Sequence, residues 1–223
     1  MKKVDLLVYS LIIGTILLGC KEDGNEKSSR VENLPYYNEA SFTPHWLGFE
    51  DQILDNYHRI PDFSLINQDG DTVTAKTFEN KIYITDFFFT SCPGICPKMM
   101  SNMSLLQEEF KDDDEVLLLS HSVSPDHDTV EVLKNYAESK GIQSNKWHLV
   151  TGDKELIYTL GRQSYFVEED LGITNPEYDF LHTENFVLID KNKHIRGIYN
   201  GLKTNSIQQL IADIKTLKKE SKL

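Results

Sequence analysis

The sequence predicts an α/β domain on a mixed sheet, and two observations support that prediction. Between Lys81 and Arg162, β-branched and aromatic runs of strand length alternate with stretches of helical spacing. After Asn185, two strands with a tight connection precede an amphipathic helix. A chain of 223 residues, 39% hydrophobic and 26% charged, suits one such domain plus a leader. Its formal net charge of -12 gives no basic footprint for nucleic acid. A cationic or metal-bearing partner fits that charge better.

The first nineteen residues read as a secretory leader. Lys2 and Lys3 form a basic start, and an apolar run from Leu6 to Leu18 follows, interrupted by Ser10, Gly14 and Thr15. That run falls short of the roughly 18 apolar residues a membrane-spanning helix needs. It ends in Leu17-Leu18-Gly19-Cys20, which resembles a bacterial lipobox. The resemblance implies cleavage before Cys20 and lipidation of its thiol, hence a lipid anchor holding the protein to a membrane of the bacterial cell envelope. The folded part then faces outside the cytoplasm, where disulfides form and metals are handled. Residues 20–33 are nearly devoid of apolar side chains and read as a flexible tether. Residues 34–58 hold Tyr36, Tyr37, Phe42, Trp46 and Phe49 between prolines and read as an arm lying against the domain, which spans residues 59–223.

Within that domain, Ile60 to Ile66 alternates apolar and polar residues, and Asn67-Gln68-Asp69-Gly70 supplies a turn before Thr72-Val73-Thr74, so an N-terminal hairpin is expected. Lys81 to Phe89 reads as a buried central strand. Pro97 suits the first turn of a helix whose apolar residues run from Met99 to Phe110. Val116 to Ser120 is the next strand; Asp128 to Lys140 is a helix stopped by Gly141; Trp147 to Val150 is a short strand; Lys154 to Arg162 is a helix. Residues 163–181 lack a pattern. A hairpin turning at Lys191-Asn192-Lys193 and a helix from Ser206 to Leu217 complete an order found in thioredoxin-like folds, with a mixed central sheet and flanking helices.

The chemistry gathers at Cys92-Pro93-Gly94-Ile95-Cys96-Pro97, where a strand meets a helix start. Cys92 and Cys96 are four apart, so their sulfurs face one small volume if helical geometry begins near Cys96. The helix dipole favours the thiolate that attacks disulfides and binds metals. A redox dithiol, a structural disulfide and a soft-metal site are all open readings of this spacing. For a metal, an imidazole is the usual completion, and His182, just before the strand at Asn185, is the candidate among seven histidines. A set of two cysteines and one histidine suits Cu(I), and takes Cu(II) with added oxygen ligation; zinc is chemically possible.

Cys92-Pro93-Gly94-Ile95-Cys96-Pro97 followed by Lys98-Met99 resembles the C-P-x-x-C-P motif of the Sco/SenC family. Pro61-Asp62-Phe63, Gly70, Pro125 with Asp128-Thr129, Trp147 with Thr151-Gly152, and His182-Thr183 leading to Ile189-Asp190 follow the family's order over roughly residues 60–217. The resemblance implies a thioredoxin-like fold and copper held by Cys92, Cys96 and His182. It implies a partner in the copper-accepting subunit of cytochrome c oxidase, whose binuclear copper centre the family helps to assemble. The second function is that of a thiol-disulfide oxidoreductase acting through Cys92 and Cys96, served by a thioredoxin-like reductant. Three positions depart from the family's usual acidic residues: Gly94 between the cysteines, Ser124 before the proline and Leu181 before the histidine.

Plainer readings cover the remaining candidates. Met99, Met100 and Met103 at helical spacing read as core. His121 and His127 flank a loop near Pro125, where a supporting metal role competes with ordinary hydrogen bonding. His148 reads as packed in a strand, and His45, His58 and His194 as isolated. Asp112-Asp113-Asp114 reads as a solvated helix end and Asp128 as a helix N-cap.

Overall fold

A computed structural model describes residues 28–48, 52–167 and 183–220. Its strands are β1 (Ser64–Asn67), β2 (Thr72–Thr74), β3 (Ile82–Phe88), β4 (Val116–Ser122), β5 (Trp147–Thr151), β6 (Asn185–Ile189) and β7 (Ile195–Asn200). The α-helices are α1 (Cys96–Glu109), α2 (Val130–Lys140), α3 (Lys154–Thr159) and α4 (Thr204–Glu220). The strands form one sheet in the order β2-β1-β5-β4-β3-β6-β7. Its centre, β5-β4-β3, is parallel, and both flanks are antiparallel. This is the expected α/β architecture, including the N-terminal hairpin of β1 and β2.

Alternation along the central strands divides the apolar residues between two cores. Ile82, Ile84 and Phe88 of β3 join Leu118, Trp147 and Leu188 under α1, α2 and α4, where Met99, Met103, Leu133, Leu210 and Ile214 are buried. Tyr83 and Phe87 point the other way, toward Leu119, Val150, Ile157, Tyr165 and Val187. Burial on both faces explains why β3 and β4 read as continuous runs rather than alternating ones. The methionines of α1 are core residues, as their spacing indicates.

Several local expectations change. Cys96 itself opens α1, with Pro97 second. Thr129, not Asp128, caps α2: its hydroxyl accepts from the Val132 N–H while Asp128 turns elsewhere. The helix expected to reach Arg162 ends as α at Thr159 and closes with a π-turn over Leu160–Ser164. Asp113 is not a merely solvated end: its carboxylate pairs with Lys218 and its carbonyl accepts from Lys146 Nζ at 2.6 Å.

The segment from residue 28 to residue 48 packs along β7 and α4. Tyr37 N–H donates to the Ile195 carbonyl, extending the sheet edge by one bridge. Beneath it lies Arg196, 2% exposed. Its guanidinium donates to the Leu34 and Pro35 carbonyls and to the carboxylates of Asp190 and Glu220, and it lies 3.9 Å from the Tyr36 ring centroid. Glu220 completes the loop by accepting the Leu34 N–H. His45, His58 and His194 are correspondingly not isolated. His194 meets Tyr36 edge-on and pairs through Nδ1 with the His58 carbonyl, His58 Nε2 pairs with the Ser164 carbonyl, and His45 meets Tyr57.

Removing one member of a buried, hydrogen-bonded ion cluster strands the others. Arg196→Ala is therefore expected to lower the unfolding free energy by about 3–5 kcal/mol in urea titrations. Arg196→Lys should recover only part of it, since an ammonium lacks the planar fork that serves four acceptors. A loss below about 1 kcal/mol, the scale of an exposed pair, would show that the cluster does not hold the segment.

Candidate dithiol site

Three features place the two cysteines. The parallel register sets Phe88, the last residue of β3, beside Ser122. Val123 N–H donates to the Phe88 carbonyl at 2.9 Å, carrying the pairing one step further. The chain then folds tightly, with Cys92 N–H on the Phe89 carbonyl at 3.3 Å, and enters α1 at Cys96. Ile95 precedes the helix without any side-chain cap, so the first N–H groups remain available to neighbours.

Those donors make the thiols unequal. Desolvation pushes the Cys92 thiol up, but hydrogen bonds from the N–H groups of Cys96, Gly94 and Ile95 and from the Cys96 thiol outweigh it, leaving Cys92 below the ordinary value. Cys96 is buried; desolvation first, then its bond to Cys92 and the charges of Cys92 and Asp86, push it up to about 12 against the single favourable bond from Phe89. Cys92, partly accessible, is thus the ionisable member, and Cys96 holds the proton between the two sulfurs.

Two buried polar groups underlie this end of the sheet, on opposite faces. Asp86 accepts a short bond from Ser120, whose oxygen in turn accepts from Trp147 Nε1 at 2.8 Å. Its second carboxylate oxygen has no partner among the described residues, and burial raises the carboxyl to about 7. His121 stacks on Phe87 at 4.7 Å between ring centroids and pairs through Nδ1 with Thr85 Oγ1. Burial holds it neutral, with its pKa lowered to about 3. It therefore belongs to the core opposite the cysteines. His127 is surface-exposed and paired through Nδ1 with Asp128. His127 is thus paired, whereas His121 keeps a buried Nε2 without a hydrogen-bond partner among the described residues.

His182, Leu181 and Cys20 lie outside the described residues. Thr183, which follows His182, is buried and accepts the Asn185 N–H at 3.0 Å. The antiparallel register of Thr85 with Val187 brings the start of β6 to the sheet end where β3 delivers Cys92. Among the described residues, no three His, Cys, Asp or Glu side chains converge as a metal site would. Gly94 is not demanded by space: a Cβ there would stand 3.9 Å from Cys92 Sγ, an ordinary contact. Sequence reasoning missed two polar residues near this end, Asp86 and the true engagement of Asp128. A lone carboxylate within the apolar run Ile82 to Phe89 was a visible signal for the first.

A mixed sheet whose central parallel strand ends in two thiols at a helix start defines a thioredoxin-like dithiol domain. The SCO1/SenC family model matches residues 52–219, and the chain belongs to that family. It is similar in structure to a SCO1/SenC family lipoprotein from Bacillus anthracis, with 30% identity, a TM-score of 0.64, and coverage of 72% of this chain and 95% of that one. A second similar structure is BsSco, described as having a disulfide switch and as a member of the Sco family of cytochrome c oxidase assembly proteins, with 27% identity, a TM-score of 0.62 and coverage of 74% and 95%. A third is ScoI from Bradyrhizobium japonicum with copper bound, with 28% identity, a TM-score of 0.55 and coverage of 72% and 98%.

The unequal thiols predict the order of alkylation. In the native, reduced protein, iodoacetamide should modify Cys92 well before Cys96, and should continue to do so at pH values below the ordinary thiol value of 9.0. Mass spectrometry after brief labelling reads this directly, and equal labelling would contradict the assignment. Asp86 predicts a pH-dependent stability. Because its folded value, about 7, lies above the ordinary 3.8, its contribution is whole below about 3.8 and is lost as pH rises through about 7. Asp86→Asn should flatten that decline in urea midpoints, whereas parallel profiles would remove burial as its cause.

Proposed function

We propose that this protein handles copper as cargo, taking it on Cys92, Cys96 and His182 and passing it to the copper-accepting subunit of a cytochrome c oxidase during assembly of the binuclear copper centre. The observation that carries this reading is the pair of free thiols, one accessible and one buried, at the start of α1. Their donor chemistry fits a soft cation. The family membership supports it, as do the copper bound by ScoI and the oxidase-assembly description of BsSco.

Loading requires both thiols in reduced form and without their protons. Cys92 yields its proton readily; Cys96 gives up its own only as its charge is compensated, so uptake releases protons and strengthens as pH rises. His182 contributes a neutral imidazole nitrogen, borderline in softness, which a plain dithiol reductase does not need. Gly94, Ser124 and Leu181 leave fewer carboxylates around these ligands than the family usually has, which lowers the attraction for the more highly charged cupric ion. Lipidation at Cys20 holds the domain to a membrane of the bacterial cell envelope, outside the cytoplasm.

The difference between the thiols favours a second activity at the same residues. Cys92 thiolate attacks a partner's disulfide, forming a mixed disulfide and releasing one partner thiolate; Cys96, after losing its proton, attacks Cys92 Sγ and releases the other. The partner gains two electrons and the domain becomes a Cys92–Cys96 disulfide, which a thioredoxin-like reductant restores. Both activities begin from the same reduced dithiol.

Anaerobic titration of the reduced protein with Cu(I) against a chromophoric chelator tests the first reading. One ion per chain is expected for the wild type. His182→Ala should weaken retention by about 10-fold or more, the scale of losing a contact that orients or completes a metal site, while Cys92 and Cys96 stay oxidisable. Unchanged affinity in that variant would remove His182 from the ligand set.

A further inference from the structure

Asp128 is fully buried and uses all four acceptor positions of its carboxylate. Oδ2 accepts from Thr90 N–H at 3.0 Å and from Ser122 Oγ at 2.6 Å. Oδ1 accepts from the Thr90 hydroxyl at 2.5 Å and from His127 Nδ1 at 2.8 Å. An enclosed carboxylate is costly unless its acceptors are filled, so this one holds its donors firmly. None of its bonds serves α2, whose first turn is capped by Thr129. The start of α2 still favours the negative charge electrostatically. Half of its hydrogen-bonding capacity goes to one residue, Thr90.

Thr90 lies in the short link between β3 and Cys92. A backbone bond and a side-chain bond to the same carboxylate fix both its position and its rotation. Cys92 follows two residues later, with its own N–H on the Phe89 carbonyl and its sulfur facing the N–H groups that open α1. The link is thus gripped just ahead of the residue whose sulfur is set against several N–H donors.

We propose that Asp128 is a positioning residue for the dithiol: by gripping Thr90 it holds Cys92 against the start of α1 and favours the pair of free thiols over the Cys92–Cys96 disulfide. This rests on the dithiol reading of Cys92 and Cys96, and does not depend on which metal or partner they serve. Loss of the grip removes stabilisation from the reduced state and shifts the equilibrium toward the disulfide.

The test equilibrates the protein in glutathione redox buffers, with free thiols trapped and counted by mass. In each conversion the two cysteines lose two protons and two electrons as their S–S bond forms, and one glutathione disulfide becomes two glutathione thiols. Thr90→Val keeps the side-chain shape but removes the hydroxyl donor, and Asp128→Asn weakens the carboxylate end. Both are expected to lower the ratio of dithiol to disulfide about 10-fold at fixed buffer composition, about 30 mV in potential, with Thr90→Ser restoring it to within about 2-fold. Ala137→Gly, which weakens α2 without touching the grip, should lower the thermal midpoint and leave the ratio unmoved. An unchanged ratio in Thr90→Val, or an equal shift in Ala137→Gly, overturns the inference and leaves the dithiol reading standing. A wild-type protein that forms no Cys92–Cys96 disulfide overturns both.

Discussion

The parallel pairing of β3 with β4, from Ile82 beside Val116 to Phe88 beside Ser122, is the constraint on which the rest of the molecule depends. Both strands are buried on both faces, so a slip of one residue would move Phe87 into the core of Phe88 and reverse every neighbour. The register therefore has a large energetic margin. It also ends both strands at the same level, which makes neighbours of the loop carrying Cys92 and the loop carrying Asp128. Apolar packing along the strands thus fixes polar geometry at their ends.

The polar residues within that packing separate two kinds of adaptation. His121 lies among Phe63, Phe87 and Tyr165 and stays neutral as an aromatic core residue, with Nδ1 on Thr85 and Nε2 without a hydrogen-bond partner among the described residues. Asp86 keeps an unpartnered oxygen and an elevated pKa on the face that includes Cys96. A native fold tolerates such a conflict with local preference mostly near functional sites. The same short stretch of β3 therefore combines a strongly determined backbone with an incompletely satisfied carboxyl, and the buried thiol above it feels the difference.

How much was legible in the sequence follows from the range of each interaction. β3, β4 and α4 were readable because their own side chains report burial, as continuous apolar runs in the strands and a single stripe in the helix. Cys92 and Cys96 were readable as a pair because four residues at a helix start bring sulfurs together. Asp128 was misread as a cap because the adjacent Thr129 competes for the same local role, and its real donors, Thr90 and Ser122, are brought in by strand register. His45, His58 and His194 meet Tyr57, Phe166 and Tyr36 through contacts that no local pattern encodes. Asp113 likewise finds Lys218 on the final helix.

The Arg196 cluster has a mechanical consequence. Leu34 is bonded to Glu220 in the last turn of α4, and Ser29 to Asp213 in the middle of the same helix. A pull on the chain at residue 28 therefore enters the domain through α4 and the edge strand β7, and is shared by Arg196 among Leu34, Pro35, Asp190 and Glu220. Between that edge and the thiols stand β6 and β3. Traction arriving through residue 28 thus falls first on an ionic joint at one margin of the sheet, two strands away from the one that presents Cys92.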